Sequence, residues 1–275
     1  MPDATNDLDV LLTAIRASSK YAQVSDDVIL RIGANELGKR RNLKEAIKET
    51  KNKLHQVGGA YHETMHYATW LDQLSLVSQT SQASETREVL RNVMRYHAST
   101  RERLPILDSF YTTIFAELGE IHSVLDIACG LNPLAIPWMP LPRDATYYAL
   151  DIYADMMQFV DTYMKQLGIS GTASTCDVIT SLSTQHSALS IQTDVAFVLK
   201  TIPCLEQVDK TIGAKLLDIL NARHIVVSFP IQSLGGKRKG MLTYYADHFA
   251  DLVAGKPWNI KRLEFESELV FVIKK

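Results

Sequence analysis

The feature that most constrains this chain is a change of periodicity near residue 105. Before it, apolar residues recur at helical spacing. Leu8, Val10–Leu12 and Ile15 form one stripe, Leu43, Ile47 and Leu54 a second, and the pattern continues over Tyr67–Val77 and Thr86–Tyr96. After it, short apolar runs at Ser123–Ala128, Thr146–Leu150, Val195–Leu199, Ile225–Phe229 and Leu269–Ile273 alternate with helical stretches such as Asp155–Leu167 and Thr211–Leu220. Near-continuous apolar strands separated by helices predict a mostly parallel sheet covered on both faces. The expected organisation is a helical N-terminal domain over 1–104 and an α/β domain over 105–275. No apolar run has the length needed to span a bilayer, and MPDATNDLDVLL lacks the basic start of a secretory leader. Cys129, Cys176 and Cys204 form neither a disulfide framework nor a C-x-x-C metal pair. A cytoplasmic protein is expected.

The formal net charge of −2 argues against a uniformly basic coat, but it hides an asymmetry. Arg31, Lys39, Arg40, Arg41, Lys44, Lys48, Lys51 and Lys53 face only Glu36, Glu45 and Glu49, a local excess of five positive charges. Such a segment suits a polyanionic partner, and it equally suits a solvated helix face.

The sharpest local signal is Val124–Leu134. A hydrophobic strand runs into Gly130, where the missing Cβ lets a ligand approach the backbone. Twenty-one residues on, the strand from Tyr147 ends in Asp151, a carboxylate able to accept both hydroxyls of a ribose. A further 26 residues on, Cys176-Asp177-Val178 offers a polar side chain and an amide beside an apolar wall suited to a purine. This order fits a dinucleotide or S-adenosylmethionine. The turn holds one glycine where a diphosphate takes G-x-G-x-x-G, which favours the cofactor without phosphates. Cys129 reads as a small packing residue.

A competing pattern is His62-Glu63-Thr64-Met65-His66, which matches H-E-x-x-H. On a helix, that spacing puts two histidines on one face for zinc, with the glutamate as general base and Glu85 downstream as a further ligand. A zinc metalloprotease is therefore a second reading. The segment follows Gly58-Gly59 and lacks a long apolar helix to bury a metal, so no metal is expected there.

Read together, several blocks resemble the aminoglycoside-resistance 16S rRNA (guanine(1405)-N7)-methyltransferases. They are Lys53–Tyr61 (KLHQVGGAY), His97–Leu104 (HASTRERL), Asp126–Leu134 (DIACGLNPL), Leu199–Glu206 (LKTIPCLE), Val227–Gly236 (VSFPIQSLGG), Lys239–Met241 and Glu268–Val270. They occur in family order across nearly the whole chain. The resemblance implies a Rossmann-like class I S-adenosylmethionine-dependent methyltransferase domain preceded by an all-helical rRNA-docking domain. It implies that Tyr61, His97, Ala98, Ser99 and Arg103 reach the cofactor from the helical side, Arg103 by a paired contact to the methionine carboxylate. Gly130, Asp151, Asp177, Val178 and Leu199 are implied on the sheet side. Arg40, Arg41, Lys44, Lys48, Lys51, Lys237, Lys239 and Met241 are the implied contacts to 16S rRNA in the assembled 30S subunit, by a monomer acting away from membranes. Without the resemblance, Arg103 reads as a surface ion-pair partner and His97 as an interface histidine.

Two departures stand out. Lys239-Gly240-Met241 is followed by Leu242-Thr243-Tyr244-Tyr245 where the family has Asn then Tyr, and the family's Gly-Asn-Glu-Leu becomes Glu266-Ser267-Glu268-Leu269. Guanine N7 carries no proton, so no general base is expected; catalysis would be positional. A methyltransferase for another rRNA base or a small molecule is the remaining alternative within this fold.

Overall fold

The computed structural model describes residues 4–59, 63–80, 83–182, 188–232 and 240–275, with backbone alone at 4–5 and 77–80. The first part is helical: α1 (Ala4–Arg16), α2 (Asp26–Lys39), α3 (Leu43–Leu54), α4 (Tyr67–Thr80), α5 (Ala83–Met94), α6 (Ala98–Arg103) and α7 (Leu107–Phe115). In α3 the Asn42 side chain caps the helix by accepting from the Glu45 amide at 2.9 Å. Its fully buried residues are Ala46, Thr50 and Leu54, whereas Leu43 and Ile47 are only partly covered. The Thr50 hydroxyl tolerates burial because it donates to the Ala46 carbonyl at 2.8 Å. The chain then runs through one wide π turn, His55–Gly59.

The second part alternates β1 (Ser123–Ile127), β2 (Thr146–Asp151), α8 (Ala154–Gln166), β3 (Ser170–Thr175), α9 (Val178–Ser181), β4 (Thr193–Leu199), α10 (Ile202–Leu205), α11 (Ile212–Ile219), β5 (Ala222–Pro230), α12 (Met241–Leu252), β6 (Asn259–Glu264) and β7 (Glu268–Lys274). The described strands form one seven-stranded sheet in the order β3-β2-β1-β4-β5-β7-β6. All neighbours are parallel except β7, which runs antiparallel to β5 and β6. The expected apolar strands are present; the first ends one residue earlier, at Ile127, and the other four are extended by one to four residues. Edge strands β3 and β6 gave no apolar run because most of their residues are exposed. The sheet starts at Ser123, so α7 stands between residue 105 and the first strand.

Side chains alternate across the strands, as pleating requires. Val124 joins one core face, whereas Leu125 and Ile127 join the other. The first face is continuous with the helical part: Leu11, Ile15, Leu54 and Trp70 share a cluster with Phe110, Tyr147, Phe159 and Phe197. Each such fully buried side chain contributes roughly 1.5–3 kcal/mol. Backbone bonds join the parts too, since the Ser25 amide donates to the Ile152 carbonyl and the Ala154 amide to the Gln23 carbonyl, both at 2.8 Å. The helical part is thereby fastened just beyond the end of β2.

Candidate active site

Strand order reverses at β1, whose neighbours β2 and β4 lead the chain in opposite directions, and the crevice outside such a switch point is where open α/β sheets hold ligands. A cavity of about 820 Å³, including its open mouth, lies there. At its rim the backbone turns sharply. Ala128 (φ 51°), directly after β1, and Lys200 (φ 58°), directly after β4, both adopt the left-handed conformation that non-glycine residues rarely take.

Asp151 ends β2 and lines the cavity. The Gly130 amide donates to one carboxylate oxygen at 2.9 Å and the Ile152 amide to the other at 2.6 Å. Burial pushes the carboxyl up, partly offset by these amides. Each oxygen keeps a further acceptor position, which matches a vicinal diol. Gly130 itself is fixed by two constraints. Its φ is +53°, and an added Cβ would stand 2.5 Å from the His97 ring, so the imidazole is seated on this turn.

Asp177, at the end of the β3 segment, is nearly buried and its carboxylate is already engaged. It caps α9 by accepting from the Ile179 amide (3.1 Å) and the Thr180 hydroxyl (2.9 Å). The Arg31 guanidinium also grips it, with Nε at 2.5 Å and Nη2 at 3.1 Å. The cavity wall here is apolar, formed by Val178, Ile179 and Leu199.

His97, Ser99, Asp151, Asp177, Val178 and Leu199 line the cavity. Ala98 is buried behind them. Arg103 is neither a surface residue nor open to the cavity. It is wholly buried, and its fork goes to Glu268 (Nε–Oε1 2.8 Å, Nη2–Oε2 3.0 Å), with Nη1 donating to Asn132 at 2.6 Å and Phe110 stacked on it at 4.7 Å. The paired contact foreseen for a methionine carboxylate is thus made to an internal carboxylate, Glu268 at the start of β7. Tyr61 lies outside the described residues.

Sequence reasoning missed Arg31, Lys200, Tyr153 and the π turn, all of which line the cavity through side chain or backbone. Lys200 Nζ donates to the Ser99 carbonyl at 2.8 Å and to Glu102 at 2.9 Å, and stands 3.4 Å from Glu268. An added Cβ at Gly58 in the π turn would meet Tyr153 at 2.9 Å, so close packing demands glycine there. Arg31 had been visible only as one charge of the basic segment, and Lys200 only as part of LKTIPCLE.

Behind the site, Asp126 accepts from Asn132 (2.8 Å) and the Tyr147 hydroxyl (2.7 Å), and burial pushes its carboxyl up to about 6. Arg40, Arg41, Lys44 and Lys48 are exposed, although Arg40 is paired with Glu36 at 2.8 Å; Lys51 and Met241 are half-buried. Lys237 and Lys239 lie outside the described residues.

The described part of the H-E-x-x-H motif is not on a helix: residues 63–66 are irregular, and α4 starts at Tyr67. Glu63 is ion-paired with Arg101, and His66 packs edge-on against Trp70 and Tyr96. His62 lies outside the described residues. Among the described residues no His, Cys, Asp and Glu group is arranged to hold a metal, and no helix is long and apolar enough to cross a membrane.

The strand order with a reversed β7, with the single-glycine turn after β1 and Asp151 at the end of β2, is that of a class I S-adenosylmethionine-dependent methyltransferase fold. The family description Ribosomal RNA methyltransferase (FmrO) matches residues 17–272, and the chain belongs to that family. It is 37% identical to a 16S rRNA (guanine(1405)-N(7))-methyltransferase of Micromonospora echinospora, over 98% of this chain and 97% of the relative. It is 30% identical to the Serratia marcescens enzyme of the same name, over 96% and 97%. Among solved structures, the 16S rRNA methyltransferase RmtF in complex with S-adenosyl-L-homocysteine superposes with a TM-score of 0.82 at 27% identity, covering 100% of this chain and 99% of that one. The 16S rRNA methylase RmtB gives 0.76 at 27% identity, covering 98% of each.

Proposed function

We propose that this protein transfers a methyl group from S-adenosylmethionine to N7 of guanine 1405 in 16S rRNA, acting on the assembled 30S subunit in the cytoplasm. The observation that carries the reading is full-length similarity to enzymes named for that reaction, in a chain whose own cavity presents a diol acceptor and an apolar purine wall. When bound, the cofactor supplies an electrophilic methyl on a sulfonium.

The residues fit such a guest. Asp151, pre-aligned by the Gly130 and Ile152 amides, would hold the ribose hydroxyls. Val178 and Leu199 would sandwich the adenine, with the amide at Val178 rather than the Asp177 carboxylate meeting its polar edge. His97, Ala98, Ser99 and Tyr61 would close the methionine end, with Arg103 acting there from behind through the Glu268 network. Because N7 already carries a lone pair and no proton, the chain needs no general base. Its work is to hold nucleophile and methyl about 3 Å apart and in line. A base buried in folded rRNA must leave its stack to get there.

We assign residues 1–104 as the docking part and 105–275 as the catalytic part. The exposed Arg40, Arg41, Lys44 and Lys48, with Lys51 beside them, suit rRNA phosphates, whose contacts position rather than specify. Lys237, Lys239 and Met241 are proposed as further contacts to the rRNA, and a monomer suffices.

The test is to methylate purified 30S subunits with labelled S-adenosylmethionine and map the product. Label at N7 of guanine 1405, together with resistance to gentamicin and kanamycin but not apramycin in expressing cells, is expected. Label on another base, or apramycin resistance, would overturn the assignment of the target atom.

A further inference from the structure

At the carboxyl end of β5 the aromatic side chains of α12 form a ladder from core to solvent. Phe229 is fully buried, Tyr245 stacks on it at 4.9 Å and 22°, and Tyr244 meets Tyr245 edge-on at 5.1 Å. Tyr244 also lies nearly parallel to His248, one helical turn on, at 6.1 Å and 12°. His248 Nε2 in turn stands 2.8 Å from Oε2 of buried Glu206. Glu206 directly follows α10, whose Cys204 and Leu205 line the cavity. Tyr244 is thus braced from beneath through residues that touch the cavity wall, yet 61% of its surface is open to solvent.

We propose that Tyr244, at the same carboxyl edge of the sheet as the cavity, is a stacking platform for a nucleobase of the RNA substrate. The proposal rests on the RNA-methylation reading above. Thr243 and Asp247, beside it in α12, are exposed and polar, so among the described residues no contiguous apolar patch of the kind that marks a protein partner is seen around the ring. A single rigid ring with a polar rim is what an unstacked base requires, and such stacking is tolerant of base identity.

The experiment measures 30S methylation, 30S affinity, cofactor affinity and melting temperature for Y244A, Y244F and Y244W. Y244A should lower kcat/KM for 30S about fivefold to 150-fold, the range base–aromatic stacking provides. Cofactor affinity and melting should stay unchanged, because Tyr244 is exposed and lies outside the cavity lining. Y244F and Y244W should retain activity, and the Y244W fluorescence should be quenched by 30S. Activity of Y244A within twofold of the unaltered protein, or a Y244F loss as large as that of Y244A, overturns the platform while leaving the methylation reading intact. If the unaltered protein binds cofactor but labels no RNA, the methylation reading falls and this proposal falls with it.

Discussion

Two arginines cross from the helical part to carboxylates of the sheet part, and the contrast between them separates what holds this protein together from what tunes its ligand. Arg103 and Glu268, 165 residues apart, are desolvated on both sides, with side chains 1% and 0% exposed. Arg31 and Asp177, 146 residues apart, meet at the cavity wall, where Arg31 is 24% exposed. Burial pushes the Glu268 carboxyl up, but the charges of Arg103 and Lys200 and the hydrogen bonds from Arg103 and Ser228 outweigh it and hold it below its ordinary 4.5. The first pair is therefore committed to the fold; the second is free to trade with solvent and guest.

The sharpest way to break this contrast is Glu268→Ala. It strands a buried guanidinium, and removing one partner of a buried pair costs about 3–5 kcal/mol. Urea denaturation should show that loss at neutral pH. A depressed carboxyl stabilises above its unfolded-state pKa and ceases to do so as pH falls through its folded-state value, so the gap to the unaltered protein should narrow on acidification. A loss below about 1 kcal/mol would show that the pair is replaceable by its surroundings.

Asp151→Ala sharpens the comparison from a third direction, because that carboxylate is held by amides and has no arginine. Losing a charged acceptor for the ribose should weaken S-adenosylmethionine by about 1.5–3 kcal/mol, or roughly tenfold to 150-fold, with the fold intact. Titration calorimetry showing equal affinity would remove Asp151 from the site.

Arg31→Ala should have the smallest effect. Asp177 keeps its Ile179 and Thr180 donors, so cofactor affinity should fall by about 1 kcal/mol, roughly fivefold, with little change in melting. A stability loss rivalling that of Glu268→Ala would erase the distinction between the two pairs.

Much of this site could be read from the chain. Gly130 and Asp151 are each set by a strand end, and two parallel neighbours with apolar cores bring their carboxyl ends together whatever else the protein contains. Gly130 and Asp151 consequently meet as their spacing implied. The basic segment was equally visible, but not that Arg31 within it turns inward while Lys44 and Lys48 face solvent. His62–His66 shows the opposite case, a spacing that matches a metal motif while its described part, Glu63–His66, is not helical.

The sequence alone determined the alternation of elements, the parallel core of the sheet and the order of the residues at its carboxyl ends, because these depend on local period and on strand ends. Only the tertiary structure decided the edge strands β3 and β6, which bury too little to leave an apolar signature, and the partners of Arg31, Arg103 and Lys200. The carboxylates paired with Arg31 and Arg103 lie 146 and 165 residues away, and Lys200 reaches back 101 and 98 residues to Ser99 and Glu102. Which charge meets which is fixed by how the helical part seats its apolar face on the sheet, and no local pattern records that fit.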